Sequence, residues 1–345
     1  MLNNFSVGLV RISLSLVCVW LSVNTNVAQS QDKSAQKKSV PQKQETESTH
    51  NARDWVAIVN DQLITKRQVD YLFSQAVGER KLSESQISKT MSVILEKLIN
   101  QQVVIGFLAK FEIEAGENEI VERIDELEAN LATVNKKLED HLAEIKLSKS
   151  DLEFLFKWDI AWNKYIQQKV TDQQLEAYFN RNKRKYDGTR IRVAHIFLKN
   201  QTAAPSDSRV NSEKKRYNFL MSAKKIHREI DSGETSWDAA LKKHSQSPSK
   251  DDGGEVGWIQ FDGPMPKSFT RAAFELNTGQ MSEPIQTPFG IHIIKCVEVE
   301  DGKDDWQKSR DALEADYSKF LFDAIVKEHR PKAKIYRDRK WLSKQ

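Results

Sequence analysis

The chain of 345 residues contains very little cysteine, and Cys18 and Cys296 are its two thiols. Cys18 falls in an N-terminal segment that we expect to be a signal or an anchor. The body of the protein then keeps one thiol, and no internal disulfide is expected. Cys296 lies in IHIIKCVEV with no histidine or second cysteine beside it, which favours a strand residue over a reactive thiol.

An excess of charge of one sign is also missing. The chain has 53 basic and 49 acidic residues, a formal net charge of +4, and no basic block of the kind that binds nucleic acid. We therefore expect no nucleic-acid partner. A hydrophobic content of 39% with 30% charged residues is typical of folded soluble proteins. The length exceeds that of one core and predicts two or three domains.

Three familiar catalytic motifs are lacking. The glycines of GGEVGW (253–258) precede a strand pattern rather than a helix and lack GK[ST], so they do not form a phosphate loop. No G-x-S-x-G is present, and Ser247 is followed by proline in a predicted loop. His195 and His292 have no further histidine or cysteine at ligand spacing. We therefore expect no metal and no cofactor.

The apolar run ISLSLVCVWLSV (12–23), preceded by Arg11, predicts a secretory signal within residues 1–28. The following NTNVAQ matches a cleavage site poorly, so an uncleaved membrane anchor is the alternative. Contact with a membrane is expected only in that case. In both cases the body is exported to the periplasm or cell envelope. Residues 29–52 are rich in Gln, Lys and Ser without an apolar period, which predicts a disordered linker.

Residues 53–187 show the pattern of a helical domain that follows a short strand and turn in VAIVNDQLIT. Apolar residues recur at helical spacing over 87–108 and 120–134. Four predicted capping boxes precede such runs: Thr65 with Gln68, Ser83 with Gln86, Ser148 with Asp151, and Thr171 with Gln174. These stripes predict a core, and an open groove for unfolded chains is the alternative. The aromatic helix at 154–166 must be buried by several neighbours or bind a partner.

The period changes from 3.6 to 2 near residue 188. RIRVAHIFLK and GIHIIKCVEVE are predicted strands, and helices are predicted at about 214–230 and in SWDAALKKHS. Residues 301–345 return to a helix that stops at Pro331, followed by a short strand in KAKIYRDRKW. The apolar face of that last helix needs a partner, which we expect to be the N-terminal helical domain.

The segment VAHIFL, followed by SWDAALKKHSQSPSKDDGGEVGWIQFDGPMPKSFTRAAFELNTGQMSEPIQTPFGIHIIK, resembles a parvulin-type peptidyl-prolyl cis/trans isomerase over 190–298. The flanks are similar to envelope chaperones of the SurA and PrsA type, through VNDQLIT, the connector VTDQQLEAYF and the C-terminal helix. This resemblance implies an α+β protein. A discontinuous helical domain would hold an inserted parvulin domain at 188–300, a small antiparallel sheet flanked by helices.

The resemblance also implies a slot for the proline ring. Met265 and Phe269 are expected to form its floor, and Val256 and Phe289 to extend its apolar wall. Rotation about an Xaa-Pro bond breaks no covalent bond, so such a site need only favour the twisted amide over both planar forms.

Four polar residues are implied beside this slot. His195 and His292 are expected to form a pair beneath it, with Thr287 in their hydrogen-bond network. The loop position that usually carries Cys or Asp in parvulins is Ser247 here. Serine can donate or accept a hydrogen bond but supplies no negative charge, so turnover is expected to be lower.

Two functions remain as hypotheses. The first is a prolyl isomerase that also acts as an ATP-independent chaperone, with unfolded or nascent exported proteins as partners. The second is a holdase chaperone in which the parvulin domain is catalytically weak and serves as a peptide-binding module.

Overall fold

The computed structural model describes residues 54–200, 209–338 and 341. The predicted signal, anchor and linker at 1–52 lie outside the described residues. The chain divides into two compact units. One unit takes the chain up to Lys169 and resumes at Lys319, and the other comprises Val170–Ser318.

Helices dominate the first and last parts of the described chain, and most of its strands lie in the middle. The first part contains β1 (Trp55–Val59), β2 (Gln62–Thr65), α1 (Lys66–Val77), α2 (Glu84–Leu108), α3 (Glu117–Ala132), α4 (Leu138–Ile145) and α5 (Lys149–Lys169). The middle contains α6 (Asp172–Arg181), β3 (Arg190–Lys199), α7 (Arg209–Asp231), α8 (Trp237–His244), β4 (Glu255–Gln260), α9 (Lys267–Phe274), β5 (Ile285–Gln286) and β6 (Gly290–Glu300). The described chain closes with α10 (Arg310–His329) and β7 (Ile335–Arg337).

All four predicted capping boxes are present. The Thr65 hydroxyl accepts the Gln68 N–H at 3.2 Å, and the Gln68 side chain accepts the Thr65 N–H at 3.1 Å. The same reciprocal bonds satisfy N–H groups that would otherwise lack a partner, at Ser83 with Gln86, Ser148 with Asp151, and Thr171 with Gln174. Local sequence therefore determines where α1, α2, α5 and α6 begin.

The predicted strand and turn after Trp55 form a complete hairpin, because β2 pairs antiparallel with β1. Asn60 and Asp61 connect the strands with φ angles of 48° and 70°. Asparagine and aspartate tolerate this left-handed conformation, which matches the twist of a tight hairpin. The prediction missed β2 because its four residues carry only a weak alternation.

The C-terminal segment returns to the helical domain, as predicted. Strand β7 pairs antiparallel with β1 and completes a sheet of order β2-β1-β7. Arg330 forms an ion pair with Glu96 of α2. The Phe322 ring of α10 meets the Trp158 and Trp162 rings edge-on, each at 5.7 Å between centroids. The helical domain is therefore discontinuous in sequence, and the mixed α/β unit is inserted in it.

The aromatic helix α5 is covered by several neighbours. Trp158, Trp162 and Tyr165 stack along it at centroid distances of 5.4 and 5.5 Å. Phe107 of α2 meets Tyr165 edge-on at 6.3 Å, and Phe322 covers the tryptophans from α10. This confirms burial by several neighbours, although both tryptophans keep part of their surface exposed.

In the described part of the chain, one helical stretch, Glu84–Phe111, is long and apolar enough to cross a membrane. Half of its apolar 18-residue window is buried inside the protein. Its buried residues include Ile94, Leu98 and Val104, which pack into the cores of the helical domain. These contacts are those of a core helix.

The inserted unit contains a four-stranded antiparallel sheet of order β4-β3-β6-β5. Side chains alternate between its faces, since successive residues of a strand point in opposite directions. Ile191 and Val193 of β3 pack with Phe269 of α9 on one face. Ile196 and Leu198 pack on the other face, in a core formed with α7 and α8. The predicted small antiparallel sheet flanked by helices is confirmed, and His195 lies on the α9 face.

Candidate active site

Two buried histidines on neighbouring strands form the centre of the site. His195 of β3 and His292 of β6 approach through their Nδ1 atoms at 3.1 Å. The two residues are not directly opposite in the ladder, because His292 pairs with Phe197 and His195 with Ile294. The imidazoles therefore meet diagonally, within the reach of long side chains on one face.

The outer nitrogens of this pair bond to two hydroxyl groups. His195 Nε2 lies 3.0 Å from Ser247 Oγ, and His292 Nε2 lies 2.9 Å from Thr287 Oγ1. Thr287 Oγ1 also accepts the N–H of Phe289 at 3.2 Å. The structure thus brings the four predicted catalytic residues into one continuous chain of hydrogen bonds.

Both imidazoles are neutral at physiological pH. Burial lowers the pKa of His195 to about 4. Burial, and to a smaller extent the charge on His195, lowers the pKa of His292 to about 4. Desolvation disfavours the charged form of a buried imidazole. The hydrogen-bonded chain is therefore uncharged, and Ser247 meets a neutral ring.

The loop after α8 fixes the position of Ser247. The Ser245 hydroxyl accepts the Phe197 N–H at 3.1 Å, and the Gln246 N–H donates to the Phe197 carbonyl at 2.7 Å. The Gln246 side chain in turn accepts the Lys199 N–H at 2.8 Å. These bonds attach the loop alongside the end of β3, because the polar residues of HSQS replace a neighbouring strand there. Pro248 then opens a short 3-10 turn.

Gly254 is a position in this loop where a side chain would clash with the backbone of β3. Its φ of 77° lies in the left-handed region, and a Cβ there would come within 2.7 Å of the His195 carbonyl oxygen. The Gly254 carbonyl accepts the His195 N–H at 2.8 Å. Gly253 has a similar φ of 70° but nothing within 4 Å of its Cβ position. Close backbone approach beside His195 is therefore specific to Gly254.

Three of the four predicted apolar residues lie together. Phe269 is completely buried and meets the His195 and His292 rings edge-on, at 6.0 and 5.4 Å. Met265 and Val256 are half-buried and pack against the same core cluster. Phe289 lies apart from that cluster, beside Thr287, with 64% of its surface exposed. It can form a wall only for a ligand that reaches that end of the site.

Two residues of the site escaped prediction. The Phe197 ring stacks against His292 at 4.7 Å and 27°, and against His195 at 5.8 Å and 17°. Ser249 places its hydroxyl 3.0 Å from that of Ser247. The position of Phe197 two residues after His195 put it on the same face, which was an available signal. Ser249 gave no signal beyond its place after Pro248 in the predicted loop.

A separate cavity of about 590 Å³ in the same unit contains none of the predicted site residues. Ala194, Trp237, Lys295 and Cys296 are among the residues that line it. Ala194 precedes His195 and points to the opposite face of the sheet. Cys296 is the predicted strand residue, and burial raises the pKa of its thiol, which makes it a poor nucleophile.

The site combines apolar surface with neutral hydrogen-bonding groups. Within the described ranges, no three His, Cys, Asp or Glu side chains converge to hold a metal ion. The Ser247 and Thr287 hydroxyls each bond to a neutral imidazole, without a carboxylate that would support the imidazolium formed in nucleophilic catalysis. Such an arrangement suits a reaction without covalent chemistry.

Comparisons with known proteins identify the class. Residues 195–298 match the family model of rotamases, the PPIC-type PPIASE domain. Foldase protein PrsA of Clostridium botulinum (strain Loch Maree / Type A3) is 27% identical over 78% of this chain and 81% of its own length. Foldase protein PrsA of Bacillus subtilis (strain 168) is 33% identical over 41% of this chain and 39% of its own.

Solved structures were also matched. Peptidylprolyl isomerase PrsA from Bacillus anthracis has 21% sequence identity and a TM-score of 0.35, and the match covers 69% of this chain and 96% of that one. A chain from a study of two SurA-like chaperones of Campylobacter jejuni has 21% identity and a TM-score of 0.24, covering 81% and 96%.

Residues 195–298 are therefore a parvulin-type peptidyl-prolyl isomerase domain. The similarity to Foldase protein PrsA extends beyond this domain, over 78% of the chain. In this structure the isomerase domain is inserted in a helical domain that is discontinuous in sequence.

Proposed function

We propose that this protein accelerates cis/trans isomerisation at Xaa-Pro bonds of exported unfolded or folding proteins and also acts on them as an ATP-independent chaperone. The observation that carries the isomerase part is the uncharged hydrogen-bonded chain from Ser247 to Thr287, beside the apolar cluster of Phe269. The barrier to Xaa-Pro rotation is about 18–20 kcal/mol and arises from amide resonance. Lowering it requires stabilisation of a twisted amide, with no nucleophile.

In this proposal the apolar residues bind the proline ring. Met265 contacts the proline ring, Phe269 forms the buried floor beneath that contact, and Val256 extends the surface on which the ring rests. Phe269 is a core residue as well, because it is completely buried against both histidines. Phe289 contacts the peptide next to the proline, where its exposed ring is free to do so. An apolar site favours the twisted amide, whose carbonyl is less strongly solvated than that of the planar forms.

The polar residues have a second role, which is to shape the polar edge of the slot. Ser247 takes the loop position next to the rotating carbonyl and offers it a neutral hydroxyl. His195, His292 and Thr287 hold that hydroxyl in a fixed network that does not change its charge near neutral pH. A preorganised donor of this kind contributes most when water is excluded.

The chaperone part of the proposal rests on the helical domain and on the foldase relatives. The stacked Trp158 and Trp162 rings leave aromatic surface partly exposed, whereas Tyr165 beside them is buried. Such surface can hold extended apolar segments weakly, without ATP. Export to the cell envelope follows from the predicted signal at 12–23, and membrane attachment would require that this segment stays uncleaved.

Exchange NMR on a short peptide with one Ala-Pro bond tests the isomerase part with the full chain. Met265→Ala is expected to abolish acceleration of exchange while suppression of client aggregation survives. The matched control is Met221→Ala on α7, outside the site, which is expected to retain full activity. Unaccelerated exchange with the folded wild-type chain would favour the holdase alternative, in which the inserted domain only binds peptide.

A further inference from the structure

The hydroxyl of Ser247 has no hydrogen-bonding capacity left for a ligand. Its oxygen lies 3.0 Å from His195 Nε2 and 3.0 Å from Ser249 Oγ, and it accepts the Ser249 N–H at 3.3 Å. A serine hydroxyl has one proton to donate and two lone pairs to accept with. Three partners within the protein use all three. A bound peptide can therefore bond to Ser247 only by displacing one of them.

The neutral histidines allow two arrangements of the protons. Each neutral imidazole carries one N–H, and the contact between the two Nδ1 atoms takes one of these protons. If His195 provides it, His195 Nε2 is bare and Ser247 must donate to it, while Ser249 donates to Ser247. If His292 provides it, His195 Nε2–H donates to Ser247, and Ser247 donates to Ser249.

Ser249 is the partner that a substrate oxygen can replace in the second arrangement, where Ser247 donates to it. His195 and Ser247 are buried, whereas Ser249 is partly exposed on the 3-10 turn after Pro248. In the second arrangement the Ser247 proton points to Ser249 Oγ, and a substrate oxygen that takes that place would receive it. The Ser249 hydroxyl thus occupies the direction from which a peptide reaches Ser247.

We propose that Ser249 is a positioning residue for the isomerisation reaction, whose hydroxyl aligns the Ser247 hydroxyl and gives up its place to the bound peptide. The inference rests on the proposed function, in which Ser247 faces the rotating carbonyl. It also gives a reason for the paired serines of SPS at the position where parvulins usually carry Cys or Asp. A second hydroxyl can orient the first, which a charged residue would not require.

A double-mutant cycle on the full chain tests this role. Catalytic efficiency is measured by exchange NMR on the Ala-Pro peptide for Ser247→Ala, Ser249→Ala and the double variant. Ser249→Ala is expected to lower efficiency about 2- to 10-fold, the size of one neutral hydrogen bond. It is expected to cause no further loss in the Ser247→Ala background, because Ser249 acts through Ser247. Ser249→Thr keeps the hydroxyl and is expected to restore activity.

Ser222→Ala is the matched control, since that exposed hydroxyl lies outside the site and donates to the Phe219 carbonyl of its own helix. Equal losses from Ser249→Ala in both backgrounds would show that Ser249 only supports the loop, and would overturn the inference. So would full activity of Ser249→Ala or of Ser247→Ala. If Ser249→Ala or Ser247→Ala kept full activity while Met265→Ala abolished it, the proposed proline slot would be supported and the role of Ser249 would be rejected. An inactive wild-type chain would overturn both proposals.

Discussion

The two buried histidines make the stability of the inserted domain sensitive to mild acid. An unfolded histidine has a pKa of about 6.5, whereas the pKa values of His195 and His292 are about 4 in the folded protein. Between pH 6.5 and pH 4 these two histidines are protonated in the unfolded chain but remain mostly neutral in the folded protein. Stability therefore falls as pH decreases from about 6.5 to about 4, and these two groups cause no further loss below that.

The size of the effect follows from the shift. One pKa unit corresponds to about 1.36 kcal/mol, so each imidazole contributes a loss of about 3 kcal/mol at the acid limit. At pH 5 the loss is about 2 kcal/mol for each imidazole relative to pH 7.5. Together the two imidazoles account for about 4 kcal/mol, and their coupling through the 3.1 Å contact does not reduce this loss, because it disfavours a second proton on the native pair. That is a large part of the stability of a small domain.

Two measurements check this prediction. NMR titration of the imidazole signals in the full chain should give native midpoints near 4. Urea unfolding at pH 7.5 and pH 5.0, followed by signals of the inserted domain, should show that wild type loses about 2 kcal/mol more than His292→Gln. The variant serves as the control for all other titrating groups. Native midpoints near 6, or equal losses in the two proteins, would refute the reasoning.

Two further predictions concern stability. Gly254→Ala should lower the free energy of unfolding by more than about 2 kcal/mol and reduce activity, because its Cβ would clash with the His195 carbonyl oxygen. The control Gly253→Ala should lower the free energy of unfolding by about 1 kcal/mol, because its Cβ meets no atom within 4 Å. Equal effects of the two substitutions in urea unfolding would contradict this. Asp151→Asn should destabilise the helical domain by about 2 kcal/mol, because the buried carboxylate accepts bonds from Arg67 and Ser148. The exposed Asp70→Asn should change thermal stability little, and a similar loss there would contradict the argument.

Features set by local chemistry could be predicted from sequence. The box of Thr65 and Gln68 needs only residues three positions apart, so its helix start was correct. The long strands β3 and β6 were predicted because alternation persists over ten or more residues. The helix that was predicted from about residue 214 begins earlier, at Arg209. The prediction missed its first turn because that turn is polar and shows no apolar period.

Features set by tertiary register could not be predicted from spacing. The stacking of Phe197 on His292 depends on the pairing of β3 with β6. The contact between Ser247 and Ser249 depends on the 3-10 turn at Pro248, which turns both hydroxyls to one side. The family resemblance named the four polar residues that form the hydrogen-bonded chain from Ser247 to Thr287, and the structure places them within hydrogen-bond distance of one another. Their roles, like that of the exposed Phe289, remain predictions.

The small sheet of the helical domain joins strands from the two ends of the described chain, with Val59 opposite Ile335. During synthesis, β1 emerges early, and its second neighbour β7 follows only when almost the whole described chain has been made. One edge of the hairpin stays open during that time and can pair with other chains. The described strands of the inserted domain all lie between residues 190 and 300, so this domain can fold before β7 is available. The isomerase is thus expected to mature before the domain that encloses it in sequence.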